Sequence, residues 1–205
     1  MLKVTGLTAL GLLLALAALP GAVAAKERHP HHPAASVPAP GPGTPFEPQI
    51  YEADILGAGA VQIGHLIIRS APNGTLLELT LKEGALSPGW HGIHVHEKAD
   101  CSDAGFKLSG GHIGHAGDPA LVNHGLLNPK GSERGDLPNL FVGASGEVRA
   151  EFFSTQIVLG KVGDPQPGNL RDADGSALVI HANRDDQLTA PIGGAGARLA
   201  CAAIQ

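Results

Sequence analysis

Aromatic residues are scarce in this chain. Trp, Tyr and Phe make up 3% of its 205 residues, so a core has to be built from Leu, Ile, Val and Ala. Helical periodicity is missing too: no segment keeps apolar residues at a helical repeat over three turns, and there is no internal repeat. Long apolar runs are absent. The longest, Leu7 to Leu19, is too short to span a bilayer, which leaves no membrane span. Positive charge is in deficit, with 14 Lys and Arg against 19 Asp and Glu and a net charge of −5. That balance argues against a nucleic-acid partner, which needs a basic face.

Cysteine is limited to Cys101 and Cys201, neither of them near the N-terminus, so a lipid-anchored form is disfavoured. Residues 1–25 have the layout of a secretory signal peptide: Lys3, the apolar run, the break at Pro20-Gly21, then the small residues Ala22-Val23-Ala24. The expected location is periplasmic or secreted. Removing the signal takes away Lys3 and no acid, so 13 basic residues face 19 acidic ones, a net of −6. In an oxidising compartment two cysteines pair by default; ligation of a metal by two thiols is the alternative. Residues 26–47 are polar and Pro-rich, which predicts a disordered tether. Its His29, His31 and His32 could capture copper or zinc loosely, or simply be solvated.

What is abundant is glycine, 29 residues, and proline, 16, which suits a loop-rich all-β protein. Residues 48–205 carry strand signals. Tyr51–Leu56 and Val61–Arg69 are candidates, the second followed by Asn73-Gly74, a hairpin cue. Leu77, Leu79 and Leu81 alternate with polar neighbours, as do Val148, Ala150 and Phe152. Ala177–His181 and Arg198–Ile204 complete a set of about eight short strands, the pattern of an antiparallel sandwich or barrel. Residues 98–139 and 183–196 read as long loops, and loops of that length on a compact β domain are usually functional.

The stretch Gly92-Ile93-His94-Val95-His96-Glu97 organises the chemistry. Residues two apart in a strand share a face, so His94 and His96 present two imidazoles together while Ile93 and Val95 can face a core. Imidazoles at that pitch suit Cu(II), with its tetragonal preference for nitrogen. Seven of the eleven histidines lie between His91 and His181. Taken with His112, His124, Asp136 and His181, this supplies imidazoles for copper and N and O donors for a tetrahedral Zn(II). An ion can also order a long loop that has no core of its own.

At these residues the chain resembles the copper/zinc superoxide dismutases. The resemblance rests on His91-Gly92-Ile93-His94-Val95-His96-Glu97, Gly110-Gly111-His112, His124-Gly125-Leu126-Leu127-Asn128-Pro129, Gly135-Asp136-Leu137-Pro138-Asn139, Val179-Ile180-His181 and Gly196-Ala197-Arg198-Leu199-Ala200-Cys201, in order over residues 48–205. It implies an all-β, eight-stranded antiparallel Greek-key β-barrel or sandwich with two long functional loops. It implies copper on His94, His96, His112 and His181, and zinc on His112, His124 and Asp136. It also implies a Cys101–Cys201 disulfide, a structural His91, a linking Asp185 between a copper and a zinc histidine, and Arg198 beside the copper. Two features depart from the family. Glu133 stands where a third zinc histidine is usual, and the stretch between His112 and His124 is longer and contains His115. A carboxylate can bind zinc, so Glu133 is a candidate ligand, while a copper-only form remains an alternative. His65 reads as a surface histidine.

The implied activity is conversion of superoxide to O2 and H2O2 by cycling of Cu(II) and Cu(I), with His112 carrying a proton and Arg198 attracting the anion. The charged guide residues of the family's final loop are not matched in Gln187 to Gly194, which predicts weaker steering. The rival is a non-enzymatic protein of the same fold that stores copper, for which Arg198 would have no use. Both a monomer and a homodimer are compatible with the resemblance.

Overall fold

The computed structural model describes residues 46–114 and 123–205. Of the expectations above, the signal peptide, almost all of the tether including His29, His31 and His32, and His115 lie outside the described residues. The described residues carry nine strands: β1 (Ile50–Leu56), β2 (Gln62–Ala71), β3 (Gly74–Leu81), β4 (Gly89–His91), β5 (Ile93–His96), β6 (Leu140–Val142), β7 (Val148–Ser154), β8 (Ser176–His181) and β9 (Arg198–Ile204). Two short 3-10 turns, Ala58–Ala60 and Lys107–Ser109, are the helical elements among them.

Every pairing between these strands is antiparallel. One curled sheet of seven strands runs β5-β8-β9-β1-β2-β3-β7, and β4 pairs with β6 in a second. The out-of-sequence neighbours in the larger sheet, β5 beside β8, β9 beside β1 and β3 beside β7, are crossovers of the kind a Greek key makes. The period-2 pattern is what forms and orients these strands: Leu77, Leu79 and Leu81 of β3 are buried while Thr80 is exposed, and Val148 and Phe152 of β7 are buried while Arg149 and Glu151 are exposed. With Leu66, Ile68, Ile93, Val95, Leu178 and Ile180 they fill one aliphatic core. Each fully buried Leu, Ile or Val contributes about 1.5–3 kcal/mol relative to exposure, which compensates for the scarcity of aromatics.

The β2–β3 hairpin forms, with a shift of one residue from the Asn-Gly cue. Ala71 pairs with Gly74, so Pro72 and Asn73 are the loop residues and Gly74 opens β3. Its glycine serves the neighbouring strand instead: a Cβ at Gly74 would lie 2.3 Å from the carbonyl oxygen of Ser154 in β7. β4 and β6, three residues each, have no sequence alternation long enough to announce them.

β5 is at the end of the seven-stranded sheet, with β8 on one side. Its other edge is covered by the long loop. The Val95 N–H donates to Gly135 O at 2.8 Å, and the Ile113 N–H donates to Val95 O at 2.9 Å. Isolated bridges join His94 to Asp136 and His96 to His112. Backbone pairing, which any exposed strand edge offers, thus lays the loop's chemical residues along the His-x-His strand. Gly135 is a point of close backbone approach: a Cβ there would meet Val95 O at 2.1 Å. Cys101 and Cys201 form a disulfide with Cα atoms 5.8 Å apart, tying the start of that loop to β9. His65 lies on the outer face of β2, beside Glu52 and Asp54 at 3.4 Å each.

Candidate metal centre

Four imidazoles converge at the junction of β5, β8 and the long loop. Ring centroids lie 4.2 Å apart for His94 and His112, 4.8 Å for His94 and His181, and 5.0 Å for His96 and His112. One nitrogen from each of His94, His96, His112 and His181 lies within 4.8 Å of the other three, and all four residues are buried. β5 supplies two of these rings because period-2 geometry turns Ile93 and Val95 into the aliphatic core. β8 supplies His181 at a register irregularity after Ile180, opposite Arg198 of β9.

The ring nitrogens divide into two sets. One set donates to atoms that can only accept: His94 Nε2 to Asp185 Oδ2 at 2.8 Å, His96 Nδ1 to Gly110 O at 2.9 Å, His112 Nδ1 to Glu133 Oε2 at 2.6 Å, and His181 Nδ1 to Gly196 O at 3.1 Å. For His94, His96 and His181 the proton is therefore fixed on that side, whereas His112 Nδ1 also faces a second donor set. The other set, His94 Nδ1, His96 Nε2, His112 Nε2 and His181 Nε2, is buried and makes no hydrogen bond among the described residues. A buried polar atom without a partner is costly. Four such nitrogens within 4.8 Å of one another could serve as the donor set of a nitrogen-binding metal, each ring held in the way ligating histidines usually are, by an acceptor on the far nitrogen. Burial pushes three of these rings away from the charged form: His94 down to about 4, His181 down to about 3, and His96 well below its ordinary value. They are neutral at pH 7, the form in which an imidazole can ligate a metal.

A second donor set adjoins the first. His112, His124, Glu133 and Asp136 each offer an atom within 4.8 Å of the others, and all are buried. His112 belongs to both sets, with Nε2 on the imidazole side and Nδ1 on the carboxylate side. Asp136 Oδ2 is fixed by the Gly125 and Glu133 N–H groups at 2.7 and 3.0 Å. Asp136 Oδ1 then faces His124 Nδ1 at 2.8 Å and His112 Nδ1 at 3.2 Å. Burial would lower the His124 and His112 values, but hydrogen bonds to Asp136 and Glu133 outweigh it at both rings, joined at His124 by Asp185. His124 rises to about 11 and His112 also rises. Burial alone would raise Asp136 and Asp185; their histidine partners instead hold both below the usual carboxylate range.

Asp185 joins the two sets. It accepts from His94 Nε2 and, through its other oxygen at 3.0 Å, from His124 Nε2. Two residues given no role in the sequence analysis place it. Asn139 donates to Asp185 O and accepts from the Asp185 N–H at 2.9 and 2.8 Å. Gln187 donates to Asp185 Oδ2 and to Leu137 O and accepts from the Leu126 N–H. Asn139 was visible within Gly-Asp-Leu-Pro-Asn, whereas Gln187 carried no signal. His91 is structural, its two ring nitrogens bonded to His181 O and Ser87 O at 2.7 and 2.9 Å. Arg198 is half-buried; it donates to Phe106 O, to the Ser109 hydroxyl and to Gly110 O at 2.6, 3.0 and 2.7 Å. Its guanidinium is thereby held one carbonyl away from the His96 ring.

The centre can hold a redox ion on four imidazoles, a second ion on a mixed set, and an anion beside the guanidinium. Comparison with known proteins agrees with that geometry. The family profile described as "Copper/zinc superoxide dismutase (SODC)" matches residues 62–204. A superoxide dismutase [Cu-Zn] of Caulobacter vibrioides is 50% identical over 143 residues, 69% of this chain and 78% of that one. Among solved structures, a SOD-like protein from Bacillus subtilis superposes with a TM-score of 0.67 at 31% identity, covering 75% of this chain and 97% of that one. The Cu/Zn superoxide dismutase from Brucella abortus gives 0.58 at 27% identity, covering 77% and 100%. Extending through the loop and both strands that bring the imidazoles together, the profile match shows that this chain belongs to the copper/zinc superoxide dismutase family.

Proposed function

We propose that this chain converts superoxide to O2 and H2O2 with copper held by His94, His96, His112 and His181 and zinc held on the side of His112, His124 and Asp136. The observation that carries the assignment is the convergence of four buried ring nitrogens with no hydrogen-bond partner among the described residues, each on a ring whose far nitrogen is bonded to a fixed acceptor. Bound copper supplies the one-electron exchange that superoxide needs in both directions, which zinc, with no redox step, cannot supply.

The chain's own residues do the rest. Arg198, always charged, draws the superoxide anion in against an unfavourable net charge and hydrogen-bonds it. Its bonds to Phe106 O and Gly110 O hold the guanidinium still, so little ordering is left for the moment of binding. His112 is the ring whose two nitrogens face different donor sets. The carboxylates on its Nδ1 side raise its basicity, which suits Nε2 to take up a proton and pass it on as peroxide forms. Asp185, placed by Asn139 and Gln187, fixes the His94 and His124 rings. Arg198 also favours turnover over storage, since a copper store has no use for an anion-binding guanidinium.

The working form is exported: residues 1–25 are removed and residues 26–47 form a tether ahead of the β domain. The apolar run in the leader and the Cys101–Cys201 disulfide, a bond of oxidising compartments, support this. Among the described residues no helix is long and apolar enough to cross a membrane. Metal analysis of the purified chain, with superoxide consumption by wild type and His181→Ala, tests the assignment. Wild type should hold copper and turn over, and the variant should do neither at the wild-type level. Copper without turnover would identify a store. The same preparation, sized in solution, distinguishes monomer from homodimer.

A further inference from the structure

At the second donor set, we infer that Glu133 is a direct metal ligand, so that this site holds zinc through two imidazoles and two carboxylates. The inference rests on the zinc assignment above and goes beyond it by naming the fourth donor.

The Glu133 side chain is buried, and a buried carboxylate needs charged or hydrogen-bonding partners. Glu133 Oε2 lies 2.6 Å from His112 Nδ1 and 3.7 Å from His124 Nδ1. Asp136 Oδ1 lies 3.2 and 2.8 Å from the same two nitrogens. Zinc bonds of about 2.0–2.1 Å in a tetrahedron imply donor–donor separations of about 3.3 Å; two of these four contacts are shorter, at hydrogen-bond distance, and the other two are 3.2 and 3.7 Å, so small side-chain shifts bring the set to that spacing. The backbone builds the pair. Asp136 N–H donates to Glu133 O at 3.2 Å, and Glu133 N–H donates to Asp136 Oδ2 at 3.0 Å. This reciprocal turn over three residues points both carboxylates at the same two imidazoles, so the arrangement belongs to the fold of the loop.

The charge consequence is simple. Two carboxylates cancel the charge of a divalent ion before the shared His112 ring is counted, whereas a single carboxylate cancels only half of it. An oxygen-rich set of this kind is also less selective for zinc, because carboxylates suit harder divalent ions such as Mn(II) better than imidazoles do.

The test uses the full mature chain loaded with copper and then given one equivalent of zinc. X-ray absorption at the zinc edge counts imidazoles, and a chromophoric chelator measures affinity. Wild type should show two imidazoles per zinc, and Glu133→His should show three with affinity retained or increased. Glu133→Gln should lower zinc affinity at least about tenfold, since losing even an outer partner of a ligand costs about 10–100-fold. Three imidazoles in wild type, or unchanged zinc affinity in Glu133→Gln, would overturn the inference. Should the Gln variant fail to fold, the imidazole counts of wild type and Glu133→His decide alone. Copper per chain is measured first: failure there would defeat the copper assignment, while the zinc-edge spectrum still decides the role of Glu133.

Discussion

His96 and Arg198 donate to the same oxygen. His96 Nδ1 lies 2.9 Å, and Arg198 Nη2 2.7 Å, from the carbonyl of Gly110. One peptide group thus sets both the orientation of a candidate copper ligand and the position of the candidate anion-binding guanidinium. Gly110 has a φ of +77°, and a Cβ there would lie 2.5 Å from Glu97 Oε1. Gly110→Ala should therefore disturb both partners at once. Copper affinity and turnover should fall together, read by chelator competition and superoxide consumption; loss of one alone would show that the shared carbonyl does not couple them.

Arg198→Ala should separate binding of the ion from attraction of the substrate. Copper content should stay near wild type, because no ring nitrogen of the four-imidazole set bonds the guanidinium. Turnover should drop on the order of tenfold or more, as expected when focused charge is lost. Its dependence on ionic strength should flatten. Unchanged turnover would remove Arg198 from the mechanism.

Asp185→Ala should weaken both metals, since it leaves His94 Nε2 and His124 Nε2 without their carboxylate. The expected loss is about 10–100-fold in affinity. Chelator competition for copper and zinc, measured separately, reads it. A loss confined to one metal would show that only one of the two rings depends on Asp185.

Metal-free protein should lose stability as pH falls from about 6.5 towards 3. An unfolded histidine titrates near pH 6.5, whereas burial holds folded His94 to about 4 and His181 to about 3. For groups with a lowered folded value, the unfolded chain binds protons first, so stability present above pH 6.5 is lost through that window. Asp136 and Asp185, also lowered, add to the loss at its acid end. Melting of chelator-treated protein at pH 7, 5.5 and 4 measures it; a flat profile would contradict neutral burial of these rings. Added copper should raise the melting point at pH 7 by mass action.

Reduction of Cys101–Cys201 should destabilise the domain. The closed loop spans 100 residues, for which chain entropy gives an upper figure of about 4–5 kcal/mol. Urea unfolding with and without reductant reads the difference. Loss of metal on reduction would show that the bond also anchors the loop carrying His112.

Local chemistry explains what was legible early. Strand periodicity is a property of neighbouring residues, so β3 and β7 could be read from alternation and β9 from its apolar run. His94 and His96 share a face for the same reason. β4 and β6, at three residues each, are held by partners distant in sequence and carry no period of their own. The Asn-Gly cue marks the hairpin but not its register, which the pairing of Ala71 with Gly74 sets and the close Ser154 carbonyl across the sheet constrains.

The sequence by itself determined an all-β chain with histidines in the order of a known metal site, since residue type and spacing are written along one dimension. Tertiary structure decided which nitrogen of each ring is committed to an acceptor and which is left for an ion. It also decided that Asn139 and Gln187 place Asp185, and that Glu133 and Asp136 face the same two imidazoles. Those outcomes depend on where the loop lies against the free edge of β5, and that is set by hydrogen bonds between residues far apart in the chain.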